Sequence, residues 1–331
     1  MSTQQPVLVT GAAGFIGFHV AQALLARGER VLGIDNLNDY YDPRLKEARL
    51  ALLARAPGFG FRRADIADHE AMLPIAEGAD APDRIVHLAA QAGVRYSLVN
   101  PYAYVTANVM GQVVMQELAR RLPGLRHFVY ASSSSVYGGN SKLPFSVEDR
   151  TDTPVSLYAA TKKADELIAH AYAHLYAIPS TGLRFFTVYG PWGRPDMAAY
   201  LFASAMTEGR EITVYNNGEM RRDFTYIDDI VAGVLAVLDR PPPCPNSGAP
   251  ARVYNIGNNR SEPLMRYIGL LEEALGVRAR IRFAPKLAAD VVATFADIEA
   301  IRADAGFAPT TPIDVGVPRF VAWFKDFHSV S

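Results

Sequence analysis

The stretch PVLVTGAAGFIG, residues 6–17, decides the fold of this chain of 331 residues. Residues 7–10 form an apolar run that predicts a buried strand, and Gly11, Gly14 and Gly17 follow it with the spacing GxxGxxG. Glycines allow a tight turn and let the backbone approach a diphosphate, whose charge is favoured by the N-terminus of a helix predicted over 17–27. The stretch therefore predicts a dinucleotide-binding turn, although the same glycines also suit a packing turn that holds no cofactor.

Two acidic residues near the ends of further predicted strands favour the dinucleotide interpretation. Asp35 ends a strand predicted over 30–35, where a carboxylate accepts hydrogen bonds from an adenosine ribose. The same carboxylate repels a 2′-phosphate, so NAD is favoured over NADP as the cofactor. Asp65 lies near the end of the next predicted strand, over 61–66, where it can meet the edge of an adenine.

Short apolar runs alternate with longer helical patterns along the first two thirds of the chain. Further strands are predicted over 84–90, 127–133 and 181–189, and helices over 108–121 and 158–176. This alternation predicts an α/β fold, a Rossmann-like doubly wound parallel sheet with a smaller C-terminal α/β lobe. We expect residues 1–187 to form the cofactor-binding domain, with 224–257 returning to it. Residues 188–223 and 258–331 are then expected to form the second lobe.

Composition narrows the classes of partner and compartment. The formal net charge of −1 gives no global field that would attract nucleic acid or an acidic membrane. No apolar run is long enough for a membrane-spanning helix, and no signal peptide is visible. The single cysteine, Cys244, lies in a proline-rich stretch predicted to be a surface loop, and the histidines lack metal-ligand spacing. The sequence therefore predicts a cytoplasmic protein without an internal disulfide or a metal site.

A candidate proton-transfer pair lies in the stretch SLYAATKK, residues 156–163. Tyr158 and Lys162 are four residues apart, so they share one face of the predicted helix. An ammonium held near a phenol favours the phenolate, which can act as a base. Such a pair also arises by chance on helices, so its significance depends on the glycine turn. By contrast, Lys46 and Arg49 are predicted to lie on a solvated helix face.

Several short motifs and three longer stretches carry a resemblance to a known family. HLAAQ at 87–91 and the serine run at 132–135, together with the glycine turn and the Tyr158–Lys162 pair, resemble the extended short-chain dehydrogenases that act on nucleotide sugars. More narrowly, the chain resembles the UDP-glucuronate 4-epimerases in DNLNDYYDPRLKEARL (35–50), HLAAQAGVRYS (87–97) and LRFFTVYGPWGRPDM (183–197).

The resemblance implies a role for each matching residue at the reaction centre. Tyr158 is then the base, Lys162 holds the nicotinamide ribose, and Ser133 hydrogen-bonds the reacting hydroxyl of the sugar. The C4 carbon gives a hydride to a tightly held NAD. The 4-keto sugar then rotates, and the hydride returns to the other face of the sugar. The residues that the resemblance assigns to the cofactor are Gly11, Gly14, Phe15, Ile16, Gly17, Asp35, Asn36, Asp65, Ile66, Leu88, Ala89, Ala90 and Gln91, with Tyr158 and Lys162.

The resemblance also implies cations and a carboxylate around the nucleotide half of the substrate. Arg194 and Arg222 match positions near the diphosphate, where guanidinium geometry suits bidentate contacts. Arg95 is equally compatible with a diphosphate contact and with a structural ion pair. Asp290 matches a position near the uridine ribose, but the preceding residues, PKLAA at 285–289, depart from the glutamine-proline-glycine of relatives.

Residue 135 separates the possible reactions. Related dehydratases and UDP-glucuronate decarboxylases have a glutamate where this chain has Ser135, so elimination of water is disfavoured here. Oxidation at C4 of a uronate makes a β-keto acid. Such an acid loses carbon dioxide unless the bond to its carboxylate carbon is held out of alignment with the π system of the carbonyl. We expect the hydroxyls of Ser134, Ser135 and Thr187 to hold it.

The expected activity is therefore interconversion of UDP-glucuronate and UDP-galacturonate. UDP-glucuronate decarboxylase and a 4-epimerase of another nucleotide sugar remain alternatives. An NAD-binding sensor without catalysis is a third, but it predicts that the tyrosine or the lysine is lost. We expect a homodimer, formed through the helices predicted over 108–121 and 158–176.

Overall fold

The computed structural model describes residues 5–78, 80–243, 248–287 and 290–330. Cys244 lies outside them, so its predicted loop stays a prediction. The strands in chain order are β1 (Val7–Thr10), β2 (Val31–Asp35), β3 (Phe59–Arg63), β4 (Arg84–His87), β5 (His127–Ser133), β6 (Ser180–Phe185), β7 (Thr187–Tyr189), β8 (Glu211–Tyr215), β9 (Arg221–Tyr226), β10 (Ala251–Ile256), β11 (Ser261–Pro263) and β12 (Arg280–Ala284).

Helices connect these strands. In chain order they are α1 (Phe15–Ala26), α2 (Pro43–Leu53), α3 (His69–Met72), α4 (Pro101–Tyr104), α5 (Gly111–Arg120), α6 (Leu157–Tyr176), α7 (Ala198–Thr207), α8 (Ile227–Leu238), α9 (Leu264–Leu275), α10 (Glu299–Ala305) and α11 (Ile313–His328). A π-helical run, Val105–Met110, joins α4 to α5 without a break.

A seven-stranded parallel sheet forms the centre of the molecule, in the order β10-β6-β5-β4-β1-β2-β3. Every residue of β1 and of β4 is buried, as expected for strands covered by helices on both faces. The order reverses between β1 and β4, and the crevice at the carboxyl ends of such a pair is where ligands bind in these folds. The predicted Rossmann-like α/β fold is confirmed.

The strand predicted over 181–189 is in fact two strands in different sheets. Within it, β6 belongs to the central sheet, whereas β7 pairs with β9 in a three-stranded sheet ordered β11-β9-β7. The chain changes sheets at Phe186, whose amide still bonds the carbonyl of Ile256 in β10. Because only Phe186 separates the two strands, the sequence carries no sign of this change.

The C-terminal third divides its contacts between the central sheet and a smaller assembly. Helix α8 packs against α1, and β10 extends the central sheet by pairing with β6. The remaining elements form the small sheet, the parallel pair β8–β12, and the packed helices α7, α9 and α11. Within the described ranges, no helix is both long and apolar enough to cross a membrane.

Three histidines lie in the interior and are held neutral there. Burial lowers the pKa of His87 to about 3 and that of His19 and of His127 to about 4. His127 is fully buried between the carbonyl of Leu238, 3.1 Å from its Nδ1, and the hydroxyl of Thr181, 2.8 Å from its Nε2. Because an unfolded histidine has a pKa of about 6.5, the unfolded chain binds these protons first as the pH falls.

We expect acid to destabilise the fold between pH 6.5 and pH 4, with each buried histidine contributing up to about 2 kcal/mol of the loss between pH 7 and pH 5. The His127→Gln variant should have a lower free energy of unfolding at pH 7 but a shallower loss on acidification. Urea denaturation at both pH values measures this difference. His69→Gln, on an exposed side chain, is the control; equal slopes for His127→Gln and the unmodified protein would contradict the prediction.

Candidate active site

A cleft of about 440 Å³ opens at the carboxyl ends of β1, β4 and β5. Its walls come from the turn before α1, the N-terminal end of α6, and the segments around Arg194, Arg222 and Asp290 of the C-terminal third. Every site residue expected from the sequence lines this cleft except Arg95. The chain thus brings the expected cofactor, reaction and nucleotide residues to one opening.

The glycine turn is built so closely that side chains are excluded. Gly11 has φ +70°, and a Cβ on it would lie 2.8 Å from the amide nitrogen of Ala89. A Cβ on Gly17 would overlap the carbonyl oxygen of Gly11, and the amide of Gly14 donates to the same carbonyl at 2.8 Å. The first turn of α1 carries no acidic residue, so its free N–H groups and dipole favour an anion in the cleft.

Asp35 fixes this turn and the loop that follows β2. Its carboxylate accepts hydrogen bonds from the amides of Ala13 at 3.1 Å and of Leu37 at 2.9 Å. The side-chain amide of Asn36 donates to Asp65 at 2.9 Å, so the two acidic residues expected near adenosine stand side by side. The glycine cradle and this carboxylate edge together fit an adenine dinucleotide.

Helix α6 positions the expected base. It begins at Leu157, after Ser156, whose hydroxyl accepts from the amide of Ala159 and so caps the helix next to Tyr158. The Lys162 ammonium donates to the carbonyl of Ala131 at 2.9 Å and to Asp165 at 3.0 Å. Burial raises the pKa of Asp165 to about 6, against the effect of the lysine. Lys162 is therefore fixed at the floor of the cleft.

The end of β5 is tied to α6 from behind. Ser132, nearly fully buried, donates to Glu166 of α6 at 2.7 Å, and the guanidinium of Arg184 clasps the same carboxylate at 2.8 and 2.9 Å. Ser133 turns the other way, and its hydroxyl accepts from the amide of Ser135 at 3.2 Å. The ion pair thus sets the distance between the strand that carries Ser133 and the helix that carries Tyr158.

Hydroxyls, rather than carboxylates, surround this part of the cleft. Ser134, Ser135 and Thr187 are half-buried and line it. Among the described lining residues the carboxylates are Asp35, Asp65 and Asp290, none of which belongs to β5, α6 or β7. Residue 135 is a serine, so the chain has no acid at the position that elimination chemistry would use.

Arg194, Arg222 and Asp290 line the cleft from the C-terminal third of the chain. Arg194 pairs with Asp196 through its Nε, 3.0 Å from Oδ1. Among the described residues, Arg222 donates only to backbone carbonyls, those of Arg221 at 2.8 Å and Val292 at 3.1 Å, and burial lowers its pKa. Part of its guanidinium is therefore available to an anionic ligand.

Arg95 lies outside the lining of the cleft. It pairs with Asp290 at 3.2 Å, and its guanidinium stacks 4.5 Å above the ring of Tyr215. More than half of its side chain is exposed. The sequence left a diphosphate contact and a structural ion pair open for Arg95. The structure shows the ion pair, which lies at the mouth of the cleft.

The prediction of a solvated face for Lys46 and Arg49 is wrong. Lys46 is buried at the cleft, where its ammonium bonds the backbone and side-chain oxygens of Asn38 at 2.6 Å and lies 4.6 Å from the centre of the Tyr41 ring. Arg49 is fully buried. Tyr40 and Tyr41 also line the cleft. These two tyrosines, Lys46 and Arg49 all lie in the stretch 35–50. The length over which that stretch resembles the family was the signal in the sequence that could have pointed to them.

Comparisons with known proteins agree on one family. The sequence model of the NAD-dependent epimerase/dehydratase family matches residues 7–257. A probable UDP-glucuronate 4-epimerase of Rhizobium meliloti is 48% identical over 96% of this chain and 96% of its own length. UDP-glucuronate 4-epimerase 4 of Arabidopsis thaliana is 47% identical over 98% of this chain and 76% of its own.

A solved structure extends the similarity to three dimensions. UDP-glucuronic acid 4-epimerase from Bacillus cereus, crystallised in complex with UDP-glucuronic acid and NAD, superposes with a TM-score of 0.89 at 33% identity. The alignment covers 98% of this chain and 100% of that one.

Proposed function

The chain belongs to the NAD-dependent epimerase/dehydratase family, and we propose that within it the chain is a UDP-glucuronate 4-epimerase. It interconverts UDP-glucuronate and UDP-galacturonate by transient oxidation at C4, with tightly bound NAD and without decarboxylation. The observation that carries this proposal is the grouping of Tyr158 and Ser133 with three further hydroxyls in the cleft that the glycine turn opens into, where none of the described lining residues of β5, α6 and β7 is a carboxylate.

The cofactor is proposed to lie along the carboxyl ends of β1, β2 and β4. Gly11, Gly14 and Gly17 leave room for its diphosphate, and Asp35 is placed for the adenosine ribose. Leu88 to Gln91 line the path toward Tyr158. When bound, NAD accepts a hydride from C4 of the sugar and returns it. Residues 1–187, with 224–257, would form this half of the enzyme.

Proton transfer is proposed to run through Tyr158. The phenolate takes the proton of the 4-hydroxyl, and Ser133 donates or accepts a hydrogen bond at the same oxygen. Lys162 favours the phenolate with its charge, while the carbonyl of Ala131 and the carboxylate of Asp165 hold the ammonium in place. The same groups protonate the oxygen when the hydride returns to the other face.

The sugar carboxylate is proposed to be held by Ser134, Ser135 and Thr187. These hydroxyls donate to it without a fixed charge and keep the bond to the carboxylate carbon out of alignment with the C4 carbonyl. This arrangement is what separates epimerisation from loss of carbon dioxide.

The UDP half is proposed to lie between residues 188–223 and 258–331. Arg194 and Arg222 are placed for the diphosphate, Asp290 for the uridine ribose, and Arg95 supports Asp290 from the mouth of the cleft. The pairing of Arg194 with Asp196 must loosen for a bidentate diphosphate contact to form. As the lone-cysteine composition suits a reducing compartment, a cytoplasmic location is part of the proposal.

We expect the protein to convert UDP-glucuronate to UDP-galacturonate without net NADH, and the Tyr158→Phe variant to lose roughly 10²- to 10⁴-fold in kcat. Anion-exchange chromatography of the nucleotide sugars measures both. Tyr172→Phe, on the same helix but bonded to Glu117 away from the cleft, is the matched control and should keep full activity. Full activity of Tyr158→Phe would refute the mechanism, and absence of conversion by the unmodified protein would refute the function.

Removing one hydroxyl of the proposed carboxylate site should divert the reaction. In Thr187→Val the side-chain shape is kept, so we expect kcat/KM to fall by roughly 10- to 100-fold and UDP-pentose to appear. Ser134→Ala should act in the same direction. Trapping of released carbon dioxide, together with product chromatography, measures the branch. Thr207→Val, on α7, is the control; unchanged turnover without UDP-pentose would rule out the assigned role.

A homodimer is proposed through α6 and the helical run before α5. Helix α5 itself is almost entirely buried within the subunit. Its N-terminal extension, which packs on α6, exposes Tyr102 by 81% together with Val105 and Met110, and Leu167 of α6 is 60% exposed. An exposed apolar face of this kind is typical of an interface, and a second copy of the chain would cover it.

Placing a charge in this face should separate the subunits. We expect Leu167→Glu to shift the mass in solution from dimer toward monomer, because a carboxylate cannot be buried there without a partner. Light scattering after size exclusion measures the mass. Leu201→Glu, on the half-exposed Leu201 of α7, should leave the dimer intact. A dimer that persists in Leu167→Glu, or a monomeric unmodified protein, would count against this interface.

A further inference from the structure

Arg49 is a buried cation with no carboxylate partner among the described residues. It lies on α2, has no exposed surface, and forms no ion pair with any residue that the structure describes. A guanidinium remains protonated at every pH at which the fold survives. Burying such a charge is costly unless hydrogen bonds and an opposite charge compensate it. Because this burial is costly, we expect the guanidinium of Arg49 to have a role in the site.

The hydrogen bonds of Arg49 join two segments that are far apart in the chain. Its Nη1 donates to the carbonyl of Ala13 at 2.8 Å and to the hydroxyl of Tyr41 at 3.0 Å. Its Nη2 donates to the carbonyls of Trp192 at 2.6 Å and Gly193 at 3.3 Å. The first segment is the glycine turn, and the second leads directly into Arg194.

At the glycine turn, one residue is held from both sides. The amide of Ala13 donates to Asp35 at 3.1 Å, while its carbonyl accepts from Arg49. The peptide groups on both sides of Ala13 are therefore fixed, which sets the direction of the N–H groups that follow at the start of α1. The positive charge of Arg49 lies behind the turn, where the Asp35 carboxylate acts on it without forming an ion pair and an anion in the cleft would add to the opposite charge.

At the other end, Arg49 holds a strained segment. Trp192 has φ +61°, a left-handed conformation that a residue with a side chain adopts only when its surroundings impose it. The carbonyls of Trp192 and Gly193 both point at the guanidinium. Arg49 thus helps to hold the conformation that presents Arg194 to the cleft, together with His19, whose ring nitrogen lies 3.0 Å from the carbonyl oxygen of Pro191.

We propose that Arg49 is a positioning residue that ties the cofactor-binding turn to the segment carrying Arg194, so that a guanidinium at this position is needed to retain NAD. The diphosphate of NAD completes the charge balance of the buried guanidinium across the turn. The link to NAD rests on the family to which the chain belongs, and the link to the UDP-sugar rests on the proposed function.

Two variants of Arg49 and one control test this role. Arg49→Met removes the charge and keeps the length, and Arg49→Lys keeps the charge but cannot reach both segments with a planar fork. Arg44→Met, on the exposed face of the same helix, is the control. NAD per subunit is measured after gel filtration, and the Kd for added NAD is measured by titration. We expect both Arg49 variants to lose NAD, with the Kd raised about 10- to 100-fold, and Arg44→Met to keep it.

A second measurement detects the coupling between the glycine turn and residues 190–197 in the unmodified protein. Hydrogen exchange of residues 190–197 should slow when NAD is added to protein stripped of cofactor, and Arg49→Lys should abolish this slowing. With NAD saturating, Arg49→Lys should raise the KM for the UDP-sugar more than it lowers kcat. This exchange measurement does not depend on Arg49→Met folding.

The outcomes separate this proposal from the proposed function. Normal NAD content in a folded Arg49→Lys or Arg49→Met, or exchange of 190–197 that ignores NAD in the unmodified protein, overturns the role of Arg49. If the protein shows the expected NAD and exchange behaviour but does not act on UDP-glucuronate, the role of Arg49 is supported and the proposed epimerase activity is rejected.

Discussion

The contact between Gly17 and the carbonyl of Gly11 is the constraint on which the rest of the site depends. No side chain fits there, so α1 can approach β1 closely enough for its first N–H groups to face the cleft. Once the turn is this tight, the Ala13 peptide groups come within reach of Asp35 on one side and Arg49 on the other. A larger residue at either glycine would move the helix N-terminus and both of these anchors together.

The second constraint lies behind the reacting residues. Glu166 accepts from Ser132 and from Arg184, which joins α6, β5 and β6 in one buried network. A buried pair of this kind is costly to break, because it leaves a charge without a partner. It also contributes specificity of geometry, since Tyr158 and Ser133 project from the two elements that it holds. The cleft can therefore be open to a large substrate while its floor stays fixed.

The sequence predicted the parts of the site that local rules govern. The glycine turn, Asp35, and the spacing of Tyr158 and Lys162 follow from the geometry of a strand, a turn and one helix. Their surroundings could not be predicted in the same way. Arg49 looks like any charged helix residue until α2 is placed against Trp192 and Gly193, 143 and 144 positions further along the chain.

The same limit applies to the sheets. No glycine or proline separates β6 from β7, since only Phe186 lies between them, and the break reflects which partner strand each one meets. In the C-terminal third, Asp290 pairs with Arg95 across 195 positions, which is a contact of the same long-range kind. Motif spacing therefore indicates which chemistry is present, and the tertiary contacts indicate which residues hold it in place.

The use of hydroxyls at Ser134, Ser135 and Thr187 has a physical rationale under the proposed reaction. A 4-epimerase must present both faces of its sugar to the same hydride donor, so the carboxylate changes position during each turnover. A guanidinium binds a carboxylate in a fixed planar geometry and would stabilise one orientation over the other. Hydroxyl groups rotate and can donate in either orientation. Under the proposal, two serines and one threonine therefore hold the carboxylate at both ends of the motion, while the arginines bind the diphosphate, which does not need to turn.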